Sequence, residues 1–176
     1  MHRNGIMMKL SAYLPSDGHE QKMRQQIIDF VEAHPNCFER SLLIGHITAS
    51  ALIINKQRTL TLLTHHYKLE KWLQLGGHSD GDSDPLSVAL REAEEESGLK
   101  HIIPVSETIF DVDVHPIPAR KNEPEHFHYD IRFLFEADDS HELIISTESK
   151  DLAWIPLNQI EQYTTEESIL RMVRKL

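Results

Sequence analysis

The stretch that decides the fold runs Gly76-Gly77-His78-Ser79-Asp80-Gly81-Asp82-Ser83-Asp84-Pro85-Leu86-Ser87-Val88-Ala89-Leu90-Arg91-Glu92-Ala93-Glu94-Glu95-Glu96-Ser97-Gly98-Leu99. A polar loop leads to Pro85, which suits the first position of a helix, and Gly98 suits the residue after its end. The spacing therefore predicts a helix over 85–97. Leu86, Ala89, Leu90 and Ala93 form one apolar face. Glu92, Glu95 and Glu96 stand at i, i+3 and i+4, so their carboxylates meet on another face. Left to themselves they repel by about a few tenths of a kcal/mol per pair. A hard divalent cation reverses that sign, because Mg²⁺ and Mn²⁺ select carboxylate oxygens. The plain alternative is a solvated acidic stripe.

On the N-terminal side of this stretch, residues 72–75 read as a short strand ending at the glycine pair. Residues 42–44 and 47–54 are rich in β-formers, 55–58 make a turn, and 59–64 alternate as a strand partner. On the C-terminal side, strands are expected near 102–114, 126–137 and 152–155, then a turn from Pro156 and a terminal helix over 165–174. Asp17 and Glu20 have capping-box spacing. Met23, Ile27, Phe30 and Val31 follow at helical spacing, and Pro35 ends the helix near His34. The order of elements predicts an α+β fold around a largely antiparallel or mixed sheet. Residues 1–40 read as an N-terminal helical extension and 41–176 as the main domain.

Composition narrows the function. The chain has 176 residues, a 40% hydrophobic fraction and a 26% charged fraction, so it can bury a core and is not disordered by default. Its net charge of −10 argues against binding a nucleic-acid polymer, whose phosphates need a basic surface. Small phosphates bound through a metal remain compatible with it. One cysteine, Cys37, excludes a disulfide framework and fits a reducing, cytoplasmic setting. No apolar run approaches membrane-spanning length, and the first eight residues lack the apolar core of a signal peptide.

The quoted stretch strongly resembles the Nudix box, G-x5-E-x7-R-E-U-x-E-E-x-G-U, where U is aliphatic. Gly77 matches the first glycine, and Arg91 through Leu99 match the second half in full register. The box's first Glu falls on Ser83, flanked by Asp82 and Asp84. The family uses that Glu to brace the loop against the Arg, and Asp82 is the expected substitute. The likeness extends over about 42–162, with Trp154-Ile155-Pro156-Leu157 resembling the closing strand and turn of many Nudix domains. It implies a Nudix-type α/β/α sandwich with a mixed sheet.

The resemblance also implies metal-dependent hydrolysis, by Mg²⁺ or Mn²⁺, of a nucleoside diphosphate linked to another group. Glu95 and Glu96 then become metal ligands, with the Gly77 carbonyl as a third donor. Glu92 is a ligand or the general base, and Glu148 a further ligand or a rival base. Arg91 orients the carboxylates. Glu94, at a variable position of the box, points elsewhere. The partner is a small phosphorylated molecule, with a homodimer open.

Twelve histidines are unusual for this length. His46, His65, His66, His78 and His115 surround the box in sequence, and His126 and His128 alternate on one strand face. Neutral imidazoles bind metals or phosphates. His78, His126 and His128, with Arg120 of the 120–125 loop, are candidate substrate contacts. Trp72 and Tyr129 are candidate base-stacking rings. Two other readings share the fold. One is an enzyme similar to isopentenyl diphosphate isomerases, favoured by the histidines but not by the intact carboxylates or by Cys37, which precedes the domain. The other is a non-catalytic ligand-binding module, favoured only by Ser83.

Overall fold

A computed structural model describes residues 2–120, 123–147 and 149–176. Its centre is strand β1 (Gly45–Asn55), all eleven residues of which are buried. Strand β7 (His126–Ala137) pairs with it in parallel along its whole length, from Gly45 opposite Phe127 to Asn55 opposite Ala137. The other edge of β1 is shared by β4 (Leu75–His78) and β2 (Leu60–His66), both antiparallel. Strands β8 (Ser149–Pro156) and β3 (Trp72–Leu73) flank β2, while β5 (Ile103–Pro104) and β6 (Asp111–Ile117) share the outer edge of β7. The described residues thus form one mixed eight-stranded sheet. A strand paired on both edges and covered on both faces reads as a continuous apolar run, as 47–54 nearly does.

Alternation along β1 sends its residues to two layers. Ile47, Ala49, Ala51 and Ile53 face a core shared with Val88, Ala89 and Ala93 of helix α3 (Pro85–Ser97). That same core holds Ile6 and Leu10 of α1 (Asn4–Ala12), and Met23, Ile27 and Phe30 of α2 (Gly18–Ala33). Leu52 and Ile54 face the opposite side, where they meet Ile169 and Met172 of α4 (Glu167–Arg174) and Ile160 of the 3-10 helix Leu157–Gln162. The expected sandwich with a mixed sheet is therefore present, and the N-terminal helices pack into its main core.

Several local expectations need correction. Helix α1 has no strong sequence signal; it is held by Ile6 and Leu10, one turn apart and fully buried. Asp17 caps α2 by accepting from the His19 and Glu20 amides, but Glu20 does not close a capping box. Its carboxylate turns inward to Ser16, Tyr13 and Lys175. The 102–114 segment is two strands, not one. Strand β4 runs through the glycine pair to His78, because Gly76 and Gly77 pair with Ser50 and Ala49 of β1. Among the described residues no helix is long and apolar enough to cross a membrane.

Candidate active site

Helix α3 begins where Asp84 accepts from the Leu86 amide and ends at Gly98, whose φ of 70° is the left-handed geometry glycine tolerates. The helix lies across β4. Oε2 of Glu96 accepts a hydrogen bond from the Gly76 amide at 2.9 Å. The Glu92 carboxylate rests on Gly77 so closely that a Cβ there would overlap Oε2. Gly77 must therefore lack a side chain for Glu92 to keep this position, whereas a Cβ on Gly76 would strike Ser50 and Ala49 of β1. Burial raises the Glu92 pKa, Arg91 draws it back and the Glu95 charge adds to the rise, leaving a net upward shift. Glu95 is exposed.

Arg91 ties the loop to the helix. Its Nη2 donates to the His78 carbonyl and to Glu92 Oε1, each at 3.1 Å. Asp82 Oδ2 lies 3.8 Å from Arg91 Nη1, an ion-pair approach beyond hydrogen-bond length, and Asp82 Oδ1 accepts from the Asp84 amide at 3.0 Å. The loop has a second brace that the sequence did not reveal. Arg40 forms a two-pronged ion pair with Asp80, and the Gly81 amide donates to the Phe38 carbonyl at 3.0 Å. Asp80 and Gly81 both have positive φ, so the loop makes a tight reversal against the segment that follows α2.

The opposite face of the same strands carries imidazoles. His46 and His128 are direct register partners across the β1–β7 pair. His78, on β4, is the partner of Thr48. Ring centres of His46 lie 5.0 Å from those of His78, His126 and His128, and His78 is 5.0 Å from His128. His115 completes the group at 5.5 Å from His128. Burial, then the charges of neighbouring groups, holds the pKa of His78 down to about 4 and that of His128 to about 2; His46 is lowered for the same reasons. Beyond the imidazoles, Thr48 and Ser50 donate to Asp130, which also accepts from the fully buried Arg132. Arg132 and Arg171 share Asp111 and Asp113.

The structure thus brings together Gly77, Glu92, Glu96 and Arg91, with His78, His126 and His128 on the reverse face of the strands. Arg120 is exposed and bridged through its backbone to Glu123. Glu148 lies outside the described residues. Tyr129 stacks on Phe30 at 3.9 Å in the α2 core, so its ring is structural. Trp72 stacks on His65 and lines a cleft of about 220 Å³ with Tyr163 and Glu166, whose walls include none of the box carboxylates. Cys37 is fully buried. Sequence reasoning passed over His46 as a site residue. The signal was its shared strand phase with His128, which only the parallel register reveals.

The carboxylate group fits a hard divalent cation. The donors are oxygens, and two of the three carboxylates are pinned against the glycine pair. Comparison with known proteins agrees with the geometry. A family model described as NUDIX domain matches residues 45–176. A protein of Lactococcus lactis subsp. cremoris (strain MG1363) named probable DHNTP pyrophosphohydrolase is 30% identical over 130 residues, covering 73% of this chain and 71% of its own. Among solved structures, a C. elegans Ap4A hydrolase complex superposes with a TM-score of 0.59 at 18% identity, covering 73% of this chain and 93% of that one. An E. coli dihydroneopterin triphosphate pyrophosphohydrolase gives 0.58 at 11% identity, covering 74% and 93%. At those identities the structural likeness speaks for the fold.

Proposed function

This chain belongs to the Nudix family and is a hydrolase acting on pyrophosphate bonds; on that premise we propose that it works with Mg²⁺ or Mn²⁺ on a small, nucleotide-derived phosphoanhydride, through the carboxylate face of α3. The observation that carries this reading is the seating of Glu92 and Glu96 on Gly77 and Gly76, beside Arg91. Glu95 and Glu96, with the Gly77 carbonyl, are the groups that would hold the cation, with Glu92 beside them as a further ligand or the general base. When bound, such an ion neutralises phosphate oxygens and lowers the pKa of a water.

The remaining chemistry belongs to the chain. Glu92 is a half-buried carboxylate with a raised pKa, and that pairing of position and basicity suits a general base. Arg91 fixes its orientation and, through the His78 carbonyl, the path of the loop. Glu148 is assigned a supporting ligand or base role by its place in the sequence alone. His78, His126 and His128 are assigned to the substrate side, and Arg120 to an outer phosphate contact. The substrate is found by incubating the protein with dihydroneopterin triphosphate, diadenosine tetraphosphate, ADP-ribose and nucleoside triphosphates under Mg²⁺ or Mn²⁺, with products identified by mass. Cleavage of at least one, dependent on the cation, supports the assignment; inertness toward all of them under both ions contradicts it.

A further inference from the structure

We propose that His46, His78 and His128 form a second metal site, built for a divalent transition metal of the Zn²⁺ type rather than for Mg²⁺. This inference shares His78 and His128 with the substrate-side assignment above but uses none of the α3 carboxylates. It begins from an anomaly in hydrogen bonding. Both ring nitrogens of His46, a residue only 4% exposed, lack a hydrogen-bond partner, and so does Nε2 of His128. The Leu42 carbonyl lies close enough to one His46 ring nitrogen to favour its protonated form, but the contact falls short of full hydrogen-bond geometry. A buried polar atom left unpaired costs about 1–3 kcal/mol. Poorly satisfied ring nitrogens gathered in one buried place point to a ligand that the polypeptide itself does not supply.

The donors converge. One nitrogen from each of His46, His78 and His128 lies within 4.8 Å of the others. Metal–nitrogen bonds of about 2.1 Å in a tetrahedral set place donors roughly 3.4 Å apart. The rings must therefore draw inward by about an ångström, which rotation about the soft Cβ–ring torsion supplies. The backbone beneath them is fixed on three adjacent strands, with His46 and His128 directly opposed. Metal sites need such rigid support.

The donor chemistry selects the ion. Three imidazoles with no carboxylate among them suit Zn²⁺, Ni²⁺, Co²⁺ or Fe²⁺ and offer Mg²⁺ nothing it prefers. A neutral imidazole supplies the lone pair that a metal requires. Three protein ligands leave a coordination position for water or an anionic oxygen. His126, 5.0 Å from His46 and held by the Pro124 carbonyl, stands beside the set, and His115 is oriented by Asp113 at 2.9 Å.

The site is tested on the full chain, stripped with chelator and then titrated with Zn²⁺ by calorimetry and with Co²⁺ by visible absorption. One equivalent of Zn²⁺ should bind in the presence of excess Mg²⁺, and Co²⁺ should give the intense bands of a low-coordinate, nitrogen-rich site. The Glu95→Gln/Glu96→Gln double variant should retain that equivalent, which separates this site from the carboxylate centre. His46→Asn and His128→Gln should each weaken Zn²⁺ binding by about a hundredfold or more, with melting curves showing the variants folded. The weak spectrum of octahedral Co²⁺ in the unmodified protein would overturn the proposal whatever the variants do. So would Zn²⁺ binding that disappears in the glutamate variant or persists unchanged in the histidine variants; either would leave only water between the rings.

Discussion

The backbone carbonyl of His78 accepts a hydrogen bond from Arg91 Nη2 at 3.1 Å, while the ring of the same residue stands 5.0 Å from the ring of His46 on the other side of the sheet. One residue therefore ties the carboxylate helix to the imidazole face. Its carbonyl shapes the loop that leads into α3, and its side chain belongs to the opposite layer.

Glu96→Gln is expected to lower turnover by about 10²–10³-fold at saturating Mg²⁺, because a ligand charge is lost while the shape is kept. The amide oxygen can still accept from the Gly76 N–H, so the strand contact survives. Melting temperature should hold or rise, since a like-charge contact is removed. Steady-state kinetics alongside a thermal melt decide it, and near-native turnover would remove Glu96 from the metal face.

The two glycines should respond differently to alanine. At Gly76 a Cβ would meet backbone, 2.6 Å from the Ala49 carbonyl oxygen, and the strand pair must give way. At Gly77 the Cβ would meet only the far end of the Glu92 side chain. Gly76→Ala should thus destabilise the fold by about 2 kcal/mol or more. Gly77→Ala should melt near the unmodified protein yet lose about a hundredfold in turnover by displacing Glu92. Denaturant unfolding of both variants, with kinetics on the second, reads the contrast; equal losses of stability would refute it.

Arg40 lies outside the segment matched by the family model, yet it grips the loop through Asp80. Both side chains are largely exposed, so Arg40→Met should cost under about 1 kcal/mol of stability. Turnover should fall by about 10–100-fold, as for an outer partner of a metal site. The concentration of Mg²⁺ needed for half-maximal rate should rise. Arg40→Lys should restore only part, since an ammonium cannot reproduce the two-pronged contact. An unchanged Mg²⁺ requirement in Arg40→Met would show that the loop needs no such brace.

Glu20 predicts a specific acid sensitivity. Burial alone pushes its pKa up, but hydrogen bonds from Lys175, Ser16 and Tyr13 outweigh burial and bring it from 4.5 down to about 2. Arg171 lies 3.4 Å away on the same side. A carboxyl whose pKa is depressed by folding contributes stability above its unfolded pKa and loses it as pH falls toward the folded value. That contribution is at most about 3 kcal/mol and should fade between pH 4.5 and 2. Glu20→Gln should be less stable at pH 7 and should show a flatter pH dependence across that window. Parallel stability–pH curves for the two proteins would contradict the assignment.

The helix over 85–97 was legible because its start, apolar face and end are all local signals: Pro85, the 86/89/90/93 spacing and Gly98. Strand β7 was legible to its ends for a similar reason. What the sequence concealed depends on partners distant in the chain. Glu20 has capping-box spacing, yet its carboxylate is drawn inward by Lys175 from the far end of the molecule. Tyr129 has the chemistry of a base-stacking ring, but strand phase turns it to Phe30. Asp82, the expected replacement for the box's first Glu, does form an ion pair with Arg91 at 3.8 Å, but the second brace, Asp80 held by Arg40 from forty residues earlier, has no local signal. His46 meets His128 through parallel pairing, which no local pattern encodes.

The α3 carboxylates are proposed to direct cation-dependent attack of water on a phosphoanhydride. The most direct measurement is cleavage of an accepted substrate in ¹⁸O-labelled water, with Mg²⁺ or Mn²⁺, with chelator in excess, and with the Glu95→Gln/Glu96→Gln variant. One labelled oxygen is expected in a phosphate-bearing product of the unmodified protein, with loss of product both with chelator and in the variant. Label-free products, or cleavage that continues undiminished in the variant, would contradict it.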